Sequence, residues 1–390
     1  MNNNDCGAII IGGHFHALGL IRLMAKKGIK CILVDHEPCM ARYSRHAWRF
    51  CKSPHFSEHK KLINFLIRLS VQYGLKNYIL FPTCDETVYV VSKNKIRLSP
   101  FFKVSTPAWD CVQYAYNKKL TYTLSEKLKI PIPKTFYPAS EQDLQHLNLD
   151  YPVLLKPAVV HRFFRQTKTK VFQINNTDDL FKYYRLACTI IPKEEILLQE
   201  KIPRTCYHLY SFCPWFKNNQ VLAQVTAKRL RQHPMEFGQA STLVISKHVP
   251  ELEILGSKLL RAMKFYGICE IEFVRDPRDQ KFKLLEINPR IWGWHTIASA
   301  AGVNLPWYLY SDIMGKEIRK SGFREKIKWR RFITDTPTAM TEIIKGRLTW
   351  NDYIRSVKHV HEHAVFSYND PLPFWGEIFM LPYLWKKRGF

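Results

Sequence analysis

The residues best suited to chemistry lie between positions 270 and 290. Ile271-Glu272-Phe273 precedes a short turn built on Asp276-Pro277-Arg278-Asp279. Lys283-Leu284-Leu285-Glu286-Ile287-Asn288-Pro289-Arg290 follows, and the whole reads as a β-hairpin. Side chains alternate between the two faces of a strand, so Glu286 and Asn288 share a face that Glu272 can share from the partner strand. Two carboxylates and an amide oxygen on one face suit a hard cation such as Mg²⁺ carrying nucleotide phosphates. Arg290, two residues further on, would set a planar cation beside that metal, where a carboxylate or phosphoryl group could be gripped by two N–H bonds. The competing reading is a solvated hairpin with cross-strand charge pairs; Leu284, Leu285 and Ile287 argue for a largely buried strand.

The elements that must position this hairpin can be read around it. Ala8-Ile9-Ile10-Ile11 is a short apolar strand ending in Gly12-Gly13. A helix follows with Leu18, Ile21 and Met24 at helical spacing, and Cys31-Ile32-Leu33-Val34 forms a second strand ending in Asp35. This unit looks like the opening of a doubly wound α/β domain, without the glycine pattern of a dinucleotide site. A helix from Glu58 to Tyr73 and a strand Tyr78–Phe81 lead into Pro82-Thr83-Cys84-Asp85-Glu86. Asp85 and Glu86 therefore sit beyond the carboxyl end of a strand, where a ligand could bind, or serve as a helix cap and first-turn acid. After Ser105 the pattern changes. A helix over Asn117–Lys129, then Tyr151–Pro157, Ile196–Pro203 and Val221–Lys228 indicate an α+β unit with antiparallel sheets. The expected domains are 1–112, 113–195, 196–315 carrying the metal site, and a basic aromatic extension over 316–390.

Composition narrows the class. The chain has 390 residues, 46% of them hydrophobic, enough for packed cores and two to three domains. Lys and Arg number 59 against 33 Asp and Glu, a net charge of +26, which predicts a site that attracts anions. Ten scattered cysteines without a Cys-x-x-Cys pair argue against a zinc ribbon or a secreted disulfide frame. The start has no basic segment and no apolar run long enough for a signal peptide, so a cytoplasmic protein is expected.

The hairpin residues also resemble a family, the ATP-grasp ligases. Glu286-Ile287-Asn288-Pro289-Arg290 with an upstream Glu-Phe looks like their metal-binding signature. Asn117-Lys118, Pro152–Pro157 with Lys156, and Leu198–Pro203 fall in the order of their other landmarks. Lys228–Gln232 and Asn288–Trp294 look characteristic of carboxylate-amine ligase-like members related to D-aspartate ligase and the large subunit of carbamoyl phosphate synthetase. The resemblance spans roughly residues 8–315. It implies an α/β N-terminal domain followed by a two-subdomain α+β ATP-grasp fold, and an ATP-dependent ligase that joins a carboxylate to an amine through an acyl phosphate. It further implies that Lys118 and Lys156 contact ATP phosphates, and that Gln199, Glu200, Lys201 and Ile202 form the adenine hinge. Glu272, Glu286 and Asn288 would hold Mg²⁺, or Mn²⁺ in its place. Arg290 and one or more of Lys228, Arg229 and Arg231 would stabilise the transferring phosphoryl group. One substrate is expected to be an amino acid, and a homodimer is expected from the family.

Two features depart from the family. The segment after Lys156, normally a glycine-rich flap, has no glycine from Ala158 to Lys170 and offers His161, Arg162, Arg165, Lys168 and Lys170 instead. Such a loop would hold phosphates by side-chain charge, or bind nucleotide poorly. Thr205–Leu209 supplies no acid for a ribose. Asp85, Glu86, Gly238 and Trp294 are expected to shape the substrate cleft. Two rival classes remain: a catalytically inactive nucleotide-binding regulator or scaffold, and a nucleic-acid-binding protein, for which no recognition motif accompanies the charge. Aromatic and basic residues over Phe374–Arg388 suggest either packing on the catalytic domain or peripheral membrane contact, with Pro373 and Pro382 bounding a short helix.

Overall fold

The computed structural model describes residues 6–203, 206–235, 240–318 and 321–388. Its first sheet contains β1 (Ala8–Ile11), β2 (Cys31–Asp35), β3 (Ala47–Lys52), β4 (Ile79–Pro82) and β5 (Lys103–Val104), all parallel, in the order β3-β2-β1-β4-β5. The unbroken apolar runs of β1 and β2 follow from burial on both faces. Ile9, Ile11, Ile32, Val34 and Leu80 pack on the helix His59–Tyr73, and Ala8, Ile10, Leu33 and Phe81 on the helix Phe15–Ala25. Chain order reverses at β1, so the carboxyl ends of β1 and β4 open a crevice. Gly12, at φ +108°, and Gly13, whose N–H donates to Asp35 Oδ2 at 2.6 Å, form one lip. Pro82–Asp85 form the other. The cap of the helix Asp85–Lys93 is Cys84, which leaves Asp85 as its first residue.

The second sheet is antiparallel: β6 (Thr135–Phe136), β7 (Val153–Pro157), β8 (Phe172–Ile174) and β9 (Ile196–Glu200), ordered β6-β9-β7-β8. Sequence order had placed 196–200 with the following unit. Pairing of Leu154 with Gln199 and of Lys156 with Leu197 puts β9 inside this sheet instead, so the change of unit falls after Glu200.

The third sheet runs β15-β14-β10-β11-β12-β16-β17, with β13 also on β10; the strands are β10 (Leu209–Lys217), β11 (Gln220–His233), β12 (Ala240–Ser246), β13 (Gly267–Ile268), β14 (Glu270–Arg275), β15 (Phe282–Asn288), β16 (Lys328–Arg330) and β17 (Glu362–His363). Residues 316–390, expected as an appended extension, supply β16 and β17 to this sheet, with the buried Trp329 registered against Val244. Buried ion pairs hold the rest of the segment. Asp335, 0% exposed, accepts from Arg231 at 2.8 and 2.9 Å and from Arg330 at 2.8 Å. Glu377 accepts from Arg331 at 2.6 Å, and Asp370 accepts from Arg22 at 2.9 Å and Ser44 Oγ at 2.7 Å. Pro373 and Pro382 each sit in the first turn of a helix, Leu372–Phe379 and Leu381–Arg388, where a missing N–H costs nothing. Leu372, Trp375 and Phe379 are exposed along one stripe, and no described helix is long and apolar enough to cross a membrane.

The N-terminal domain meets the large sheet closely. A Cβ at Gly19 would lie 2.6 Å from Thr296 Cγ2 and 3.0 Å from His295 Cε1, so only glycine lets the first helix approach. His295 is fully buried there; its Nδ1–H donates to the Trp292 carbonyl at 2.9 Å, and no described group reaches Nε2.

Two outcomes are expected. Asp335→Asn should cost about 3 kcal/mol, because two buried guanidinium groups lose their shared counter-charge; an unchanged urea midpoint would contradict the lock. Burial pushes the His295 imidazole down from 6.5 to about 4. The unfolded chain therefore binds the proton more tightly, and stability present above about pH 6.5 is lost as pH falls toward 4, by at most about 3 kcal/mol. Urea midpoints at pH 7.5 and 5 should differ more for the native chain than for His295→Leu.

Candidate active site

The hairpin forms as its alternation demands. Glu270 registers with Asn288 and Glu272 with Glu286, with a bulge between Glu272 and Phe273. Glu272 also registers with Ser211 on β10, whose hydroxyl donates to Glu270 Oε1 at 3.0 Å. One face of the sheet thus carries Ser211, Glu270, Glu272, Glu286 and Asn288 together. Glu270 was not singled out from sequence, although the period-2 step from Glu272 reaches it directly.

A chain of polar contacts runs across this face. Lys118 Nζ donates to Glu286 Oε2 at 3.0 Å, and Arg229 Nη2 to Glu272 Oε2 at 2.9 Å. Asn288 Nδ2 donates to Glu270 Oε2 at 3.1 Å and Glu272 Oε1 at 3.3 Å, which turns Asn288 Oδ1 toward Arg290 Nη2, 3.1 Å away. Arg290 then meets Asp85, with Nε to Oδ1 at 2.5 Å and Nη2 to Oδ2 at 3.3 Å.

Each cation is placed by its own element. Asn117 caps the helix Lys118–Lys127 by accepting from the Lys119 and Leu120 amides, and Tyr122 from that helix donates to the Leu285 carbonyl at 2.8 Å, which seats Lys118 over β15. The Lys118 ammonium and then the charge of Lys170 hold the Glu286 carboxyl far below the usual carboxylate range, against its burial. Burial, and next the Glu272 charge, push the Glu270 carboxyl upward. Burial opposes the charge on Asp85, but Arg290, His161 and Lys170 outweigh it and lower its pKa.

The residues expected at the nucleotide gather on β9 and β7, the two inner strands of the second sheet, and just beyond β9. Lys156 Nζ donates to Gln199 Oε1 at 2.6 Å, and the buried Gln199 donates through Nε2 to Thr135 Oγ1 at 2.9 Å. Glu200 accepts from the Lys134 amide at 2.9 Å, Arg278 at 2.6 Å and Lys283 at 3.1 Å. Its side chain therefore ties the hinge to the hairpin turn. Lys201 donates to Gln173 at 2.8 Å, and Ile202 is buried against Leu209 and Val274. The glycine-free segment is a helix, Val160–Thr167, closed by Lys168 at φ +58°. His161 on it stacks on Tyr116 (5.5 Å, 25°), and Tyr116 stacks on Tyr89 (5.0 Å, 28°), joining the flap to the first domain.

Other expected residues lie elsewhere. Lys228 registers with Tyr210, and Tyr210 with Phe273, so by alternation it occupies the face opposite Arg229; its ammonium stands over the Tyr210 ring at 5.6 Å. Arg231 is held by Asp335 and Ser356 in the C-terminal lock, beyond bulges at 229–232 that break the alternation. Arg229 is the cation of that run at the carboxylates. Trp294, expected in the cleft, is buried beside Trp292 in the core shared by the first domain and the large sheet. Gly238 lies outside the described residues.

A parallel α/β domain, a four-stranded antiparallel unit and a large, mostly antiparallel sheet whose edge hairpin carries carboxylates and runs into Asn-Pro-Arg make up the ATP-grasp fold, and the chain has it. Residues 224–307 match the family described as carbamoyl-phosphate synthase L chain, ATP binding domain. D-aspartate ligase of Enterococcus faecium (strain Aus0004) is 24% identical over 276 residues. That match takes in 66% of this chain and 65% of the relative, so the chain spans just under two thirds of the curated protein it matches. Among solved structures, N5-carboxyaminoimidazole synthetase from Staphylococcus aureus complexed with ADP superposes with a TM-score of 0.64 at 15% identity, covering 84% of this chain and 83% of that one. The biotin carboxylase-β,γ-ATP complex from Campylobacter jejuni gives 0.67 at 16% identity, covering 84% and 75%. The likeness to ATP-grasp carboxylate-amine ligase-like proteins, expected from the Glu286–Arg290 signature, holds in both sequence and fold.

Proposed function

We propose that this protein is an ATP-dependent carboxylate-amine ligase that works through an acyl phosphate and releases ADP and phosphate. The observation that carries the reading is the polar run from Glu272 through Asn288 and Arg290 to Asp85, set beside the Lys118–Glu286 pair by the cross-strand register of Glu272 with Glu286. It joins a nucleotide side, marked by Lys118 and Lys156, to a crevice at the switch point of the first sheet. D-aspartate ligase, a relative by sequence, supports an amino acid as one substrate.

Glu272 and Glu286 offer carboxylate oxygens in cross-strand register and already rest on cations, and Asn288 would add its amide oxygen by turning the amide that now donates to Glu272, so the set fits a hard divalent ion, Mg²⁺ or Mn²⁺. Glu272, Glu286 and Asn288 would hold the ion, which when bound would supply Lewis-acid stabilisation of the negative charge on the transferring phosphoryl group. The chain's own cations do the rest. An anionic carboxylate must approach an anionic triphosphate, and Lys118, Arg229 and Arg290 at the hairpin face, with Lys156 on the second sheet, would offset that repulsion. Gln199 orients Lys156, and the hinge at Gln199–Ile202 would hold the adenine. Arg162, Arg165, Lys168 and Lys170 on the flap would meet phosphates by side-chain charge where a glycine loop would use backbone amides.

Mg-ATP should raise the melting temperature, with about 2.7 kcal/mol of stabilisation at one hundred times Kd. Phosphate release should then depend on the pair offered from a panel of amino acids and carboxylates. Glu286→Gln should abolish most of that release with little change in apo stability, and Lys156→Met should raise the ATP concentration at half-maximal shift about tenfold, a loss of about 1.4 kcal/mol. No shift at saturating Mg-ATP would overturn the nucleotide assignment; a shift without pair-dependent release would favour a nucleotide-binding regulator.

A further inference from the structure

Arg290 is placed to grip an anion, yet its guanidinium is already filled. A guanidinium has five N–H donors. Nε and one Nη2 hydrogen go to Asp85, the other Nη2 hydrogen to Asn288 Oδ1, and one Nη1 hydrogen to the Ile291 carbonyl at 3.3 Å. Among the described residues that leaves one donor, too few for a two-bond grip. Asn288 and Ile291 belong to the same turn as Arg290 and move with it. Asp85 alone comes from elsewhere, 205 residues away on the first domain.

The two partners differ in access. The Asp85 side chain is 45% exposed and that of Arg290 17%, so solvent reaches the carboxylate more readily than the cation. Withdrawing Asp85 with nothing in exchange would leave a largely buried guanidinium without a counter-charge, which is costly. Replacing it with another carboxylate preserves both the charge balance and the two-bond geometry. Arg290 also borders a small cleft with Phe81, Pro82, Ser105 and Leu309, at the carboxyl ends of the first sheet.

We propose that Asp85 is a place-holding carboxylate: it occupies Arg290 until the carboxylate group of the acid substrate displaces it, so the first domain competes directly for the substrate's binding site. The proposal rests on the ligase reading for the name of the acid substrate, but the anion exchange itself needs neither nucleotide nor turnover. Removing the competitor should open the site. Acetate, titrated in chloride-free buffer and followed by ligand-observed NMR, should bind Asp85→Asn at least about tenfold more tightly than the native chain. Arg290→Gln added to that variant should remove the gain. Asp85→Ser, smaller and unable to mimic the native pairing, should show the same gain and guards against a misfolded first variant. Equal acetate affinity in native and variant chains would overturn the proposal, as would a gain for inorganic phosphate without one for acetate, which would make Arg290 a phosphoryl site.

Turnover supplies a separate arm. With any acid and amine pair that drives phosphate release, Asp85→Asn should lower KM for the acid in step with its tighter hold on acetate. A fall in kcat with KM for the acid unchanged would make Asp85 a positioning residue for Arg290 and overturn the exchange. An acetate gain in a chain that releases no phosphate with any pair would overturn the ligase reading and leave the exchange standing.

Discussion

Three carboxylates crowded on one face of one sheet cannot all remain ionised without cations, and the need for those cations shapes the molecule around the site. Glu270, Glu272 and Glu286 lie on two neighbouring strands in direct register. Arg229 arrives on β11, two strands away, Lys118 from the start of a helix that abuts the second sheet, and Arg290 from the turn after β15. Arg290 then needs Asp85 from the first domain. Each charge calls in the next, so the electrostatic balance of the hairpin joins all three units. Among the described residues, Glu270 is the member without a salt bridge. It is held by Ser211 and Asn288, and its upward-shifted carboxyl is the remaining cost of the crowding.

How much of this was legible depends on how local the determining interaction is. Glu272, Glu286 and Asn288 could be read because a strand's period of two is a property of neighbouring residues. Glu270 obeys the same rule and was within reach of it. Lys228, Arg229 and Arg231 could not be sorted, because bulges between 229 and 232 reset the alternation and nothing in the string Lys-Arg-Leu-Arg announces a bulge. In the first sheet β1, β2 and β4 were legible from their apolar runs, whereas β3, Ala-Trp-Arg-Phe-Cys-Lys, has no such run and is placed by its pairing with β2. The membership of β9 was not legible either, since Ile-Leu-Leu-Gln-Glu suits any buried strand and only pairing with residues over forty positions earlier assigns it.

The C-terminal segment shows the same limit from the side of charge. In sequence, Arg330 and Arg331 count toward a basic surplus and suggest a surface. In the fold both are buried, because Asp335 and Glu377 return to meet them. Arg22 is likewise spent on Asp370 at the far end of the chain. The count of 59 lysines and arginines therefore overstates the cations available to a ligand, and the useful ones concentrate where acids are not supplied in matching number.

The flap is such a place. A glycine loop binds phosphate through backbone amides that a regular helix would consume in its own hydrogen bonds, so the helix Val160–Thr167 can offer phosphates only its first-turn amides and its side chains. Lys170, just beyond it, already acts on Glu286 and Asp85 through space. The His161–Tyr116–Tyr89 stack supplies the apolar hold that positions these charges. Backbone amides grip by shape and lose little to salt, whereas exposed side-chain cations are screened within about 8 Å at physiological ionic strength. Cations held this way would select an anion by its charge more than by its outline.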